Sequence, residues 1–286
     1  MPLPAGTALD VVARLVLGHV AKTLQQTIIV DNKPGANGVL GTMEVVRAPA
    51  DGLTLLCATN SHLATNVSLV KNLPYDPERD LTPIAGMITG MQVLLVRAGS
   101  PIRSFKDFIA QARQRPGSVS VGHSTSIVQL QYATLAKMAG IELLPVPYKG
   151  TPATATDVIG GVLDAMLETV AQAQSQVKAG QMRALAVTMA TRSPHFPDVP
   201  TIAELLPGFD FPTWNGFFGP AGLPREVVLR LSAAIAQAQR LPEVSQHLNS
   251  LGLPPFIIEP DELKTFIHSE ITKYARLAKE AGMQPQ

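Results

Sequence analysis

Cysteine, tryptophan and unbalanced charge are what this sequence has least of. Among 286 residues there is one cysteine and one tryptophan, aromatic residues reach 5%, and 23 basic side chains meet 22 acidic ones. A single thiol excludes a disulfide within the chain. Balanced charge with few aromatics argues against a polyanion groove or a base-stacking platform, so nucleic acid is not an expected partner. No apolar run approaches the roughly 20 residues of a membrane span, and the opening "MPLPAGTALD" lacks the basic and apolar regions of a signal peptide. Cys57 sits inside the apolar run "LTLLCA", which marks it as a small buried side chain rather than a nucleophile.

What is present is a 46% hydrophobic composition, enough for a sizeable core, and a steady alternation of short apolar runs with helical patterns. "TIIVDN", "LTLLCAT", "QVLLVRA", "SVSVGHS", "LLPVPYK", "LDAMLET" and "RALAVTM" read as strands. Residues Asp10 to Leu24, Ser104 to Gln114, Ile127 to Ala139 and Thr151 to Ile159 read as helices, with apolar positions three and four apart. This alternation predicts an α/β fold in which helices cover mostly parallel sheets. Asp10 and Ser104 stand where N-caps belong, and the last two helical patterns, after "GPAGLP" and from "PDEL", are expected at the surface. A chain of this length is expected to divide in two. The crossings are placed near Ala98 to Pro101 and Thr213 to Phe218, giving a discontinuous first domain (1–98 and 217–286) and an inserted second one (99–216).

Candidate chemistry is thin. Gly35, Gly38 and Gly41 follow a strand and precede a helix, but the spacing is GxxGxxG, and the next strand ends in Thr59 and Asn60 without a ribose-binding acid. A glycine-rich turn is the simpler reading. "GHSTS" resembles a nucleophile elbow that lacks its last glycine. Its histidine would have to be His195, in a proline-rich loop, or His247 or His268, on surface helices. The six histidines are scattered without metal-ligand spacing, so neither a metal nor a cofactor is expected. Polar junctions after apolar strands do recur, at "ATNSH", "GHSTS", "PYKGT" and "LETVA". In an open α/β sheet such junctions lie at strand carboxyl edges, where helix amino termini offer unpaired N–H groups to anions. Two such edges facing one another would make a clamshell receptor for a small carboxylate.

Seven segments, "VDNKPGANGVLG", "ADGLTLL", "NLPYDPERDLTPIA", "VPYKG", "KAGQMRALAVT", "RSPHFPDVPTIAE" and "GPAGLPREVV", resemble the Bug-type periplasmic receptors of tripartite tricarboxylate transporters, over a span from about residue 1 to Gly282. The resemblance implies a type II periplasmic binding protein fold, two α/β domains around a ligand cleft, without enzymatic activity. It implies a monomer in the periplasm whose partners are a small carboxylate (an organic acid, an amino acid or an aromatic acid) and membrane transporter subunits. Carried onto this chain, the ligand-binding positions are Ala5, Gly6, Thr7, Thr59, Asn60, Ser61, Ser124, Thr125, Ser126, Tyr148, Glu168 and Thr169. "NKPGANGVLG" becomes a structural turn beside the cleft.

The sequence also departs from that family. It opens almost inside the first loop, so the family's first strand is expected to be missing, through a late start or truncation, with two strand edges exposed. Thr7 and Ala8 stand where glycines are usual, and Glu168-Thr169 replaces a common Asp-Asn pair. The longer Glu168 would repel a second carboxylate or favour an amino or amide group. The alternatives are an α/β hydrolase using Ser124, or a truncated relative that binds nothing.

Overall fold

The computed structural model describes residues 1–285. Along the chain run α1 (Ala8–Leu24), α2 (Val39–Val46), β1 (Leu56–Thr59), α3 (Asn66–Leu69), α4 (Pro77–Asp80) and β2 (Leu81–Gly90). There follow β3 (Gln92–Arg97), α5 (Phe105–Gln114), β4 (Val119–His123), α6 (Ser126–Ala139), β5 (Leu143–Pro147), α7 (Thr151–Gly160), β6 (Ala165–Thr169), α8 (Val170–Lys178) and β7 (Met182–Val187). The chain closes with β8 (Thr213–Pro220), α9 (Arg225–Arg240), α10 (Pro242–Ser250) and α11 (Pro260–Glu280).

The chain divides into two compact units. One comprises Met1–Thr89 and Trp214–Arg276, the other Gly90–Thr213 with Leu277–Met283. The first crossing thus falls upstream of the expected Ala98 to Pro101. The reason is strand pairing: β3 lies between β6 and β7 in the second unit's sheet and cannot belong to the first.

The first unit has a three-stranded sheet in the order β1-β8-β2. Its apolar core joins Val12, Val16 and Val20 of α1 to Ile84 and Met87 of β2, Phe217 of β8, and Ile235 and Ala238 of α9. β1 and β8 are antiparallel, Leu56 opposite Phe218 and Thr59 opposite Asn215, so the expectation of mostly parallel sheets is corrected here. Strand β8 pairs with β1 although the main segment of the second unit lies between them in the chain, which is why adjacency in sequence did not reveal the direction. "TIIVDN" is not a strand either. It pairs with no strand among the described residues; around it Met1 alone bridges the backbone, its ammonium donating to the Asp31 carbonyl at 2.6 Å and its carbonyl accepting the N–H of the following Lys33 at 2.7 Å. β-Branched composition makes a strand only where a partner strand is supplied.

The second unit carries a five-stranded mixed sheet, β5-β4-β6-β3-β7. β4 runs parallel to β5 and β6, while β3 is antiparallel to β6 and β7. Val93, Leu95, Met166 and Val187 pack under Val158 of α7 and Ala173 of α8. The edge strand β5 has Pro145 and Pro147 opposite Val121 and His123. Because the Tyr148 N–H bonds the His123 carbonyl at 2.8 Å, alternation turns both prolines' nitrogens outward. An edge that lacks donors at two successive outward positions resists pairing with another sheet.

Candidate functional site

The parallel strands β4, β5 and β6 end on one edge of the second unit's sheet, and α6, α7 and α8 start from it. The three N-cap residues are Thr125, Gly150 and Thr169, all types that favour helix starts, yet no side chain caps any of the three helices. Elsewhere the chain does cap: Ser104 Oγ accepts the Asp107 N–H at 3.1 Å to start α5. The first-turn amides of α7 and α8 thus take no bond from their N-cap side chains, and the positive dipole ends of all three helices favour an anion at this edge. Ser124 and Thr125 are half-buried beside the first of these starts, and Ser126 is buried within it.

Glu168 is the penultimate residue of β6 and is 5% exposed. Its Oε1 accepts the Thr169 N–H at 2.7 Å. Burial pushes its carboxyl above the ordinary carboxylate value, and the bonds from Thr169 only partly offset this. A raised folded-state pKa means that the folded chain holds a proton the unfolded chain has already lost. Stability therefore falls as pH rises from the ordinary carboxylate pKa, about 4.3, through the higher folded value. Glu168→Gln is expected to abolish that fall and to raise the melting temperature of the ligand-free protein by a few degrees at pH 7.5, with no gain at pH 4. A difference between the two proteins that stays flat across this range would contradict the assignment.

Tyr148 follows β5, and its hydroxyl donates to the Asp157 carboxylate on α7, which holds the phenol above its ordinary value. Its donor is thus spent within the unit. Gln92, not anticipated from the sequence, lies directly opposite Thr169 on β3. Its only signal there is a polar residue immediately before "VLLV".

In the first unit the expected residues are more heavily engaged. Helix α1 starts at Ala8, not Asp10, because Thr7 is its N-cap and accepts the Asp10 N–H at 3.4 Å. Asp10 is buried in the first turn, where its carboxylate takes the Gly6 N–H at 2.9 Å, the Arg14 guanidinium at 3.1 Å and the Asn32 amide at 3.0 Å. The Gly6 amide is therefore occupied by this chain's own carboxylate, and Ala5 is exposed beside it. At the end of β1, the Thr59 N–H donates to His62 Nδ1 at 3.2 Å, and the Ser61 N–H donates to Thr59 Oγ1 at 3.2 Å. Asn60, Ser61 and His62 are buried, and burial lowers the His62 pKa to about 4, so its ring is neutral near pH 7.

No hydrogen bond joins Ser124 to a histidine among the described residues. His195 instead contacts Gln174, and His268 contacts Glu78. The Cys57 thiol is pushed up to about 12 by burial, which removes it as a nucleophile. No group of three metal-ligating side chains occurs among the described residues, and no helix there is long and apolar enough to cross a membrane. An open cavity of about 300 Å³ in the first unit is lined by Arg79, Thr82, Arg225 and Lys264 among others, but by none of the strand-end residues above.

The sequence profile of the tripartite tricarboxylate transporter family receptors matches residues 12–283. Solved structures also resemble nearly the whole chain, among them the following. Rpa4515 of R. palustris, solved with adipate, is 30% identical with a TM-score of 0.93, covering 100% of this chain and 96% of its own. The periplasmic binding protein BugD is 29% identical with a TM-score of 0.90, at 100% and 97% coverage. MatC of Rhodopseudomonas palustris, solved with malate, is 29% identical with a TM-score of 0.87, at 96% of each chain. The two-unit α/β architecture is that of type II periplasmic binding proteins, and such neighbours are solute-binding proteins rather than enzymes.

Proposed function

This chain belongs to the tripartite tricarboxylate transporter receptor family, and from that premise we propose that it captures a small carboxylate in the periplasm and delivers it to membrane transporter subunits. The observation that carries this reading is the set of three uncapped helix starts on one sheet edge, with Ser124, Thr125, Ser126 and Thr169 beside them. Amide and hydroxyl dipoles there hold a carboxylate without a nucleophile, so the solute is released chemically unaltered. Thr59, Asn60 and Ser61 supply a second polar strand end in the other unit. Adipate and malate, the ligands of two structural neighbours, set the chemical class to test first. The proline-blunted β5 edge supports a monomer.

A thermal-shift screen of organic, amino and aromatic acids tests the reading. A ligand present at a hundredfold excess over its Kd adds about 2.7 kcal/mol, because only the folded chain binds it. In a chain of this length that corresponds to a rise of about 5–10 °C. A screen in which no acid raises the melting temperature would remove the proposal.

A further inference from the structure

One corner of the second unit's sheet edge is rich in unspent hydrogen-bond acceptors. Gln92 and Thr169 face each other across the β3–β6 ladder. Gln92 is 8% exposed, and its buried Oε1 has no hydrogen-bond partner. The Thr169 hydroxyl is likewise buried, and the one group it meets is the Glu168 carboxylate. The neighbouring Thr188 hydroxyl does not serve them, because it accepts the Gln92 backbone N–H at 3.0 Å and donates to the Phe211 carbonyl at 3.1 Å.

Glu168 joins this corner from the other face of the sheet. Alternation along β6 points its Cβ away from Thr169, but its carboxylate curls over the strand end to take the Thr169 N–H. No lysine, arginine or histidine pairs with it among the described ion pairs. Neither 122–126 nor 166–171 contains a lysine or arginine. A buried acceptor without a donor is costly, and a lone buried carboxylate more so, which favours a donor that arrives here. A second carboxylate would be repelled.

We propose that Gln92, Glu168 and Thr169 form a donor-selecting corner that takes an N–H group of the solute, ammonium or amide, while the positive dipole ends at the starts of α6 and α7 take its carboxylate. The preferred solutes are then amino acids or amide-bearing acids rather than plain diacids. This rests on the carboxylate-receptor reading and narrows its ligand class.

Matched sets of probes separate the two. Glutarate, glutamate and glutaramate share one skeleton, as do succinate, aspartate and succinamate, and terephthalate with 4-carbamoylbenzoate supplies an aromatic pair. Isothermal titration of the full chain should show an N–H-bearing member binding at least about tenfold more tightly than its plain diacid, the value of one well-made hydrogen bond. The ammonium and amide arms identify which donor is taken. Gln92→Met and Glu168→Gln, each checked for a cooperative melt, should both cut that preference, Gln92→Met by weakening the N–H-bearing probe and Glu168→Gln also by tightening the diacid. Diacids that bind as tightly as their N–H counterparts in the wild-type chain overturn the corner and leave the receptor reading intact, and this comparison needs no variant to fold. Silence across every probe and across the wider acid screen overturns both.

Discussion

Trp214→Ala is expected to cost about 3–5 kcal/mol of stability, the loss typical of a fully buried large aromatic. Trp214 is 1% exposed at the start of β8, with its ring 5.2 Å from Phe266 in an edge-on contact. Its indole N–H donates to Glu270 Oε2 at 2.8 Å, and Glu270, itself buried, takes Lys273 at 2.8 Å on its other oxygen. Truncation would leave both a cavity and a buried carboxylate missing one donor. The consequence reaches β1, because the buried Tyr274 on the same helix interacts with Glu270 and with Asn60 at the strand end. Trp214→Phe keeps most of the volume and should lose only about 1–3 kcal/mol. As Trp214 is the only tryptophan, unfolding must be followed by circular dichroism rather than indole fluorescence. A loss below about 1 kcal/mol for the alanine variant would show that this contact does not anchor α11.

Gly38→Ala is expected to cost about 2–5 kcal/mol, combining about 1–2 for a left-handed backbone with about 1–3 for overpacking. Gly38 has φ +83°, and a Cβ there would lie 2.2–2.3 Å from the ring of buried His62. His62 cannot yield cheaply, since its Nδ1 holds the Thr59 N–H and its carbonyl accepts the Tyr75 hydroxyl at 2.6 Å. The loop is tied to this junction again by Thr42, whose hydroxyl donates to the Gly38 carbonyl at 2.9 Å, and by Asn66, whose amide donates to the Asn37 carbonyl at 2.9 Å. This is the role of "NKPGANGVLG": a turn that seats His62 under the end of β1, not a phosphate cradle. Gly18→Ala provides the contrast. Gly18 lies in α1 with nothing within 4 Å of a new Cβ, so the substitution should stabilise by about 0.5–1 kcal/mol. Chemical denaturation of both variants checks the pair, and equal effects would refute the packing argument.

The strands legible in sequence were the apolar runs that also found neighbours: "LTLLCAT", "QVLLVRA", "SVSVGHS", "LLPVPYK", "LDAMLET" and "RALAVTM" became β1, β3, β4, β5, β6 and β7. β2 and β8 escaped because "LTPIAGMITG" and "TWNGFFGP" carry glycine and proline, which weaken a strand signal. Their glycines answer a tertiary need. A Cβ on Gly86 would meet the Phe256 carbonyl at 2.3 Å, and one on Gly216 would meet the Ala85 carbonyl at 2.8 Å. "TIIVDN" failed the opposite way, with strand composition but no partner strand, leaving Ile29 84% exposed.

By itself the amino-acid order determined the α/β alternation, the Ser104 cap, the burial of Cys57 and, through seven segments in register, membership of a receptor family. These depend on spacing within a few residues or on long matching runs. Only the tertiary structure decided that Thr125 and Thr169 leave their helices uncapped, that Asp10 occupies the Gly6 amide, and that Gln92 faces Thr169. Which donor meets which acceptor depends on the register of strands far apart in the chain, and short-range spacing carries no record of that register.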